Sequence, residues 1–94
     1  MPELSRFLGV SILMYFNGHV PPHFHVKYNE FRASVEISTL SVVEGEIPPR
    51  VHGLVTEWAE LHRDELLTNW NTIRESGEYR RIEPLVYERV YGLD

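Results

Sequence analysis

The chain has 94 residues, is 43% apolar and 24% charged, and carries a formal net charge of −5 with no cysteine. That size and composition describe one globular domain with a modest core, and they exclude a disordered or low-complexity chain. The missing thiol rules out disulfides, cysteine-ligated zinc, iron–sulfur clusters and thiol nucleophiles, while the acidic balance argues against broad nucleic-acid binding by charge alone and leaves room only for a local basic patch.

No apolar run approaches the ~18 residues that a membrane-spanning helix needs. The opening MPELSRFLGV lacks a basic region followed by a long apolar stretch, so the expectation is a cytoplasmic protein without a membrane segment.

Val10–Phe16 predicts a first strand, stopped by the turn signal Asn17-Gly18. His19-Val20-Pro21-Pro22 predicts an irregular connection, because neither proline can serve a central ladder. In His23–Tyr28, Phe24, Val26 and Tyr28 alternate with His23, His25 and Lys27, which sends the two sets to opposite faces of a strand. Phe31–Ile37 repeats the alternation, and only Asn29-Glu30 separates the two runs. A two-residue hairpin loop then sets Tyr28 opposite Phe31, Val26 opposite Ala33, Phe24 opposite Val35, His25 opposite Ser34 and His23 opposite Glu36. A further strand is expected over Leu40–Glu44, ended by Gly45.

Beyond Pro48-Pro49 the pattern changes to helical spacing, with Val51, Leu54, Val55, Trp58, Leu61, Leu66 and Ile73 as apolar positions and Gly77 as the stop. The predicted fold class is therefore α+β: a small antiparallel β-meander of about four strands (1–47), with one long helix (48–77) packed on one face. An extended segment and tail (78–94) follow, in which Tyr87, Val90 and Tyr91 need cover.

Polar residues in unusual places mark the candidate site. His62 and Asn69 fall within the helix's apolar stripe, with Glu65 at its edge, and are expected to find partners on the sheet. His62 is either a hydrogen-bonded structural residue or a member of the histidine group. His19, His23 and His25 lie within seven residues around a double proline. His23 and His25, two apart on one strand face, are close enough to share a divalent ion such as zinc, with His19, His62 or a carboxylate as a third ligand. The same spacing suits an acid–base pair acting on a phosphodiester, with Glu36 orienting His23. A polar, solvent-facing strand is the plain alternative. Trp58 and Trp70 are expected in or near the core, and Glu57, Glu60, Arg63 and Asp64 on a solvated helix face. Arg80-Arg81 with Lys27 and Arg32 form either a small basic patch or ordinary surface. No phosphate loop, nucleophile elbow or zinc-protease helix is present.

Leu4-Ser5-Arg6-Phe7, Met14-Tyr15-Phe16-Asn17 and His19-Val20-Pro21-Pro22-His23-Phe24-His25 together resemble the start of a small bacterial family, domain of unknown function 4160. Pro48-Pro49-Arg50, Glu57-Trp58-Ala59, Leu61-His62, Glu65-Leu66, Asn69-Trp70 and Ile82-Glu83-Pro84-Leu85 continue the resemblance to about residue 85. Asn29-Glu30 stands where the family more usually has a glycine-bearing turn, and the tail after Leu85 runs past the usual ending. The resemblance implies a small protein whose gene neighbours a second small gene, in an arrangement like a toxin–antitoxin pair. It implies no assigned activity. Three functions follow as expectations: a component of such a module acting on or regulating RNA through His19, His23, His25 and Glu36; a metal-binding protein using His19, His23 and His25; or a non-enzymatic module that binds the neighbour-encoded protein, or a second copy of itself, through its tail or an edge strand.

Overall fold

The structure is a computed structural model that describes residues 2–16 and 18–86. Five strands come first: β1 (Glu3–Phe7), β2 (Val10–Leu13), β3 (His23–Tyr28), β4 (Phe31–Glu36) and β5 (Val42–Glu46). Two helices follow, α1 (Pro49–Leu61) and α2 (Arg63–Ser76). The strands form one antiparallel sheet in sequence order, β1-β2-β3-β4-β5. The fold is α+β, as the change of period at Pro48-Pro49 predicts.

The β3–β4 register is the one the two-residue loop dictates, from Tyr28 opposite Phe31 to His23 opposite Glu36. Asn29 takes a positive φ of 54° in that loop, a conformation asparagine tolerates better than most residues. Phe24, Val26, Ala33 and Val35 are buried beneath the helices. Trp58 sits at the centre of the layer contact, its ring 5.5 Å from Phe7 and 6.1 Å from Phe24.

The segment read as a first strand is the second. β1 and β2 form a hairpin through Leu8 and Gly9, which both have positive φ, the backbone of a type I′ turn. β1 escapes period-two reading because its register shifts between Glu3 and Ser5, so Leu4 and Ser5 are both buried. β5 begins later than expected and runs through Gly45, which does not end it. A register shift opposite Ser34 and Val35 bulges β5, and a side chain at Gly45 would collide with the Arg32 carbonyl.

The predicted single helix is two helices. The chain breaks at His62 (φ −126°, ψ 23°), and Leu61, placed on the apolar stripe from sequence, is 71% exposed. Val51, Val55, Trp58 and Ala59 of α1, and Leu66, Asn69, Trp70 and Ile73 of α2, carry the buried stripe. Pro49 starts α1, and Gly77 closes α2 in the left-handed region at φ 81°.

Asn69 is buried, and its partners are on the C-terminal segment instead of the sheet. Its Nδ2 donates to the Arg80 carbonyl at 2.9 Å, and its Oδ1 accepts from the Arg80 N–H at 2.8 Å. The same segment donates from Ile82 N to the Leu4 carbonyl at 2.7 Å and accepts from Trp58 Nε1 at the Glu83 carbonyl. Arg81 pairs with Glu3. Burial works against the Glu3 carboxylate, but Arg6 and Arg81 hold its pKa below the ordinary 4.5. Residues 78–86 are thus a strap along β1 and α2. Tyr87, Val90 and Tyr91 lie outside the described residues, as does Asn17 of the predicted turn.

Candidate functional site

One face of the sheet packs on the helices and the other is open. Alternation along β3 sends His23, His25 and Lys27 to the open face. The antiparallel register extends each of them into a cross-strand row. Leu13, His25, Ser34 and Glu44 form one row from β2 to β5, and Ser11, Lys27, Arg32 and Glu46 form the next. This surface carries a hollow of about 500 Å³ walled by Tyr15, His25, Lys27, Arg32, Ser34 and Glu44.

Ring contacts organise the hollow. Tyr15 meets His25 edge-on with centroids 4.1 Å apart, and His25 lies 5.1 Å from His23. His23 lies 5.2 Å from Trp70 of α2, and the Arg74 guanidinium stands over the Trp70 ring at 5.0 Å. Tyr15, His25, His23 and Trp70 are therefore a continuous run of rings from the open face to the helical layer. His23 is not isolated from the helices as sheet geometry alone implies, because α2 meets the sheet at the start of β3. Gly18 permits this approach: a Cβ there would stand 3.1 Å from the Trp70 ring. Arg74 fastens the same loop by donating to the Gly18 carbonyl at 2.6 Å.

Two of these histidines have defined surroundings. His23 Nδ1 donates to the Pro21 carbonyl at 2.9 Å, since a carbonyl only accepts, and this leaves Nε2 without a proton when the ring is neutral. His25 Nδ1 shares a hydrogen bond of 3.3 Å with Ser34 Oγ, and Ser34 is itself buried. Burial pushes the His25 pKa down from 6.5 to about 4, the positive charge of His23 pushes the same way, and Glu44 pulls weakly against both. His25 is therefore a neutral ring at physiological pH.

The other sequence candidates stand elsewhere. Glu36 is opposite His23 in register, yet its carboxylate accepts from Ser38 Oγ at 2.7 Å and from Thr39 Oγ1, so it is spent on its own turn and does not orient His23. His19 is exposed on the connecting loop and joins no ring contact among the described residues. His62 accompanies the helices: its Nδ1 donates to Glu65, and its ring lies 5.5 Å from Trp58. That is a structural setting at the helix break. His52, the remaining histidine, ties α1 to the β4–β5 turn by donating from Nε2 to the Leu40 carbonyl at 2.8 Å. Among the described residues no group of three or more His, Asp or Glu side chains is placed to hold a metal ion. His23 and His25 lie side by side, and the third ligand expected from His19, His62 or a carboxylate does not join them among the described residues.

Arg80 and Arg81 do not share a patch with Lys27 and Arg32. They line a separate groove of about 1110 Å³ between α2 and the strap, beside Asp64, Glu65 and Glu78. There Arg81 is paired with Glu3, and the Arg80 backbone is held by Asn69.

A family model described as a domain of unknown function (DUF4160) matches residues 9–71, about two-thirds of the chain. The chain belongs to this family. The DUF4160 match runs from the β1–β2 turn into α2, so it contains the whole open-face hollow and the ring run from Tyr15 to Trp70. It leaves out β1, the last turn of α2 and the strap. No curated protein and no solved structure matches the chain. Among the described residues no helix is long and apolar enough to cross a membrane.

Sequence reasoning found His23, His25, Lys27 and Ser34 but missed Tyr15, Glu44 and the contact with Trp70. Tyr15 was accessible from parity, being two residues past Leu13, which pairs with His25. Glu44 was hidden by the bulge in β5 and Trp70 by the distance along the chain, and no local pattern encodes either.

Proposed function

We propose that this protein binds RNA on the open face of its sheet, as one component of a cytoplasmic two-gene module resembling a toxin–antitoxin pair. The observation that carries the reading is the pairing of rows in one hollow. Tyr15 and His25 offer ring surface, and Lys27 and Arg32 offer positive charge in the row next to that of His25. A sheet that presents aromatic rings beside cations suits unpaired bases and their phosphates. The family's gene-neighbour arrangement supports the module.

Binding is favoured over cleavage. A general acid works best with a pKa near the operating pH, and His25 lies well below it. The larger groove is the weaker candidate, because acidic side chains flank it and one of its two arginines, Arg81, is already paired with Glu3.

The test is fluorescence anisotropy with a labelled single-stranded RNA. Lys27→Ala/Arg32→Ala should weaken binding roughly tenfold or more, since each lost phosphate contact removes a charge-assisted hydrogen bond. Arg81→Ala, in the other groove, should bind like wild type. Equal affinity of wild type and the Lys27/Arg32 double variant contradicts the reading.

A further inference from the structure

The hollow has a chemical polarity that a general RNA-binding surface does not need. Its positive side is Lys27 and Arg32, paired directly across β3 and β4, with Glu46 beyond Arg32 in the same row but not among the residues that wall the hollow. Its other side carries an acceptor pair, the Glu44 carboxylate beside Ser34 Oγ, which are opposite one another across β4 and β5. The Tyr15 and His25 rings meet between β2 and β3 in an edge-on corner, with an interplanar angle of 72°. Glu44 is close enough to His25 to oppose the drop in its pKa, so its charge belongs to the hollow. Glu44 makes no side-chain hydrogen bond or salt bridge among the described residues, whereas Glu36 and Glu3 are both engaged.

A phosphate is repelled by Glu44 and attracted by Lys27 and Arg32. A ribose hydroxyl can donate a hydrogen bond to a carboxylate, which a phosphodiester, having no donor, cannot. Successive rows along β3 are two residues apart, about 6.7 Å, a separation that the ribose of one nucleotide bridges. A hollow of about 500 Å³ takes one nucleotide and not a base pair with its backbones.

We propose that the hollow is a subsite for one unpaired ribonucleotide of single-stranded RNA. Its base lies in the Tyr15–His25 corner, its phosphate on Lys27 and Arg32, and its 2′-hydroxyl donates to Glu44. This rests on the RNA-binding reading above and adds to it a substrate class and a residue that selects it. Glu44 is the selecting residue. Its negative charge weakens every nucleic acid's approach, and only a ribose recovers the loss through the hydrogen bond. The 2′-hydroxyl is the group by which a protein separates RNA from DNA at a given site. Duplex RNA is disfavoured because its bases are stacked and paired, out of reach of the ring corner.

The experiment measures binding of three labelled oligonucleotides of one sequence, single-stranded RNA, single-stranded DNA and duplex RNA, to wild type, Glu44→Ala and Glu46→Ala. Glu44 and Glu46 are both exposed, so both variants keep the fold. Wild type should prefer single-stranded RNA over DNA by roughly tenfold, the size of one hydrogen bond to a charged acceptor. Glu44→Ala should bring that ratio close to one, mainly by improving DNA binding. Glu46→Ala should improve both strands alike and leave the ratio unchanged. A wild-type ratio near one, a ratio that Glu44→Ala does not move, or duplex binding as tight as single-stranded binding overturns the subsite while RNA binding itself stands. Absence of binding to all three oligonucleotides overturns the RNA-binding reading and the subsite with it.

Discussion

His25 shows how a strand position becomes a special residue. It belongs to a face that alternation marks as outward, yet the Tyr15 ring and Ser34 close over it, and its charged form becomes unfavourable. The consequence for stability has a definite sign. Between pH 6.5 and about 4 the unfolded chain protonates this histidine and the folded chain does not, so stability falls as pH drops through that window. Thermal unfolding followed across it should show a decline in Tm that is smaller in His25→Gln. An equal decline in both proteins would place the acid sensitivity elsewhere. Asn69 is a second case. Its polarity on a buried stripe was legible in the sequence, but its partner was not, because Arg80 arrives from a segment with no periodic signal. Asn69→Ala should cost about 1–3 kcal/mol in urea unfolding, since it leaves the Arg80 N–H and carbonyl unpaired.

At the scale of elements, β3 and β4 were the most legible part. Strict alternation and a two-residue loop leave one register that buries Phe24, Val26 and Val35 together. β1 and β5 were less legible, because each is bulged and a bulge erases period two locally. The helix break at His62 has neither proline nor glycine at it. Its cause is tertiary: a straight helix over 49–76 would run about 40 Å, while strands of four to six residues offer about half that length to pack on. Beyond the break, α2 reaches the start of β3, where Trp70 meets His23. The bulge in β5 also has a backbone requirement. Gly45 has φ 76° and sits against the Arg32 carbonyl, so Gly45→Ala should destabilise by about 1–3 kcal/mol in denaturant unfolding. It should also disturb the Glu44 side of the hollow. A neutral Gly45→Ala would show that β5 can shift to accept the methyl group.

For the whole molecule, the net charge of −5 and the RNA-binding reading have to coexist. They do so only if the grip on phosphate is small and local, and the hollow offers just Lys27 and Arg32. With one phosphate held by both cations, log K should fall against log salt with a slope of about −0.7, shallow for a nucleic-acid-binding protein. A slope several times steeper would require a cationic surface beyond Lys27 and Arg32 of the hollow. The layer arrangement was readable from the change of period at Pro48-Pro49, and the outward face of β3 from its alternation. The hollow was not readable, because it depends on Tyr15, just past the end of β2, and on Glu44 of β5, which stand on either side of the β3–β4 hairpin.

The central claim is that the open sheet face is where the protein meets RNA. It is tested most directly by following backbone amide shifts of isotope-labelled protein as single-stranded RNA is added. The account predicts the largest shifts at Tyr15, His25, Lys27, Arg32, Ser34 and Glu44, with α1 and the groove beside Arg80 and Arg81 unmoved. Shifts centred on that groove, or none at saturating RNA, would contradict it.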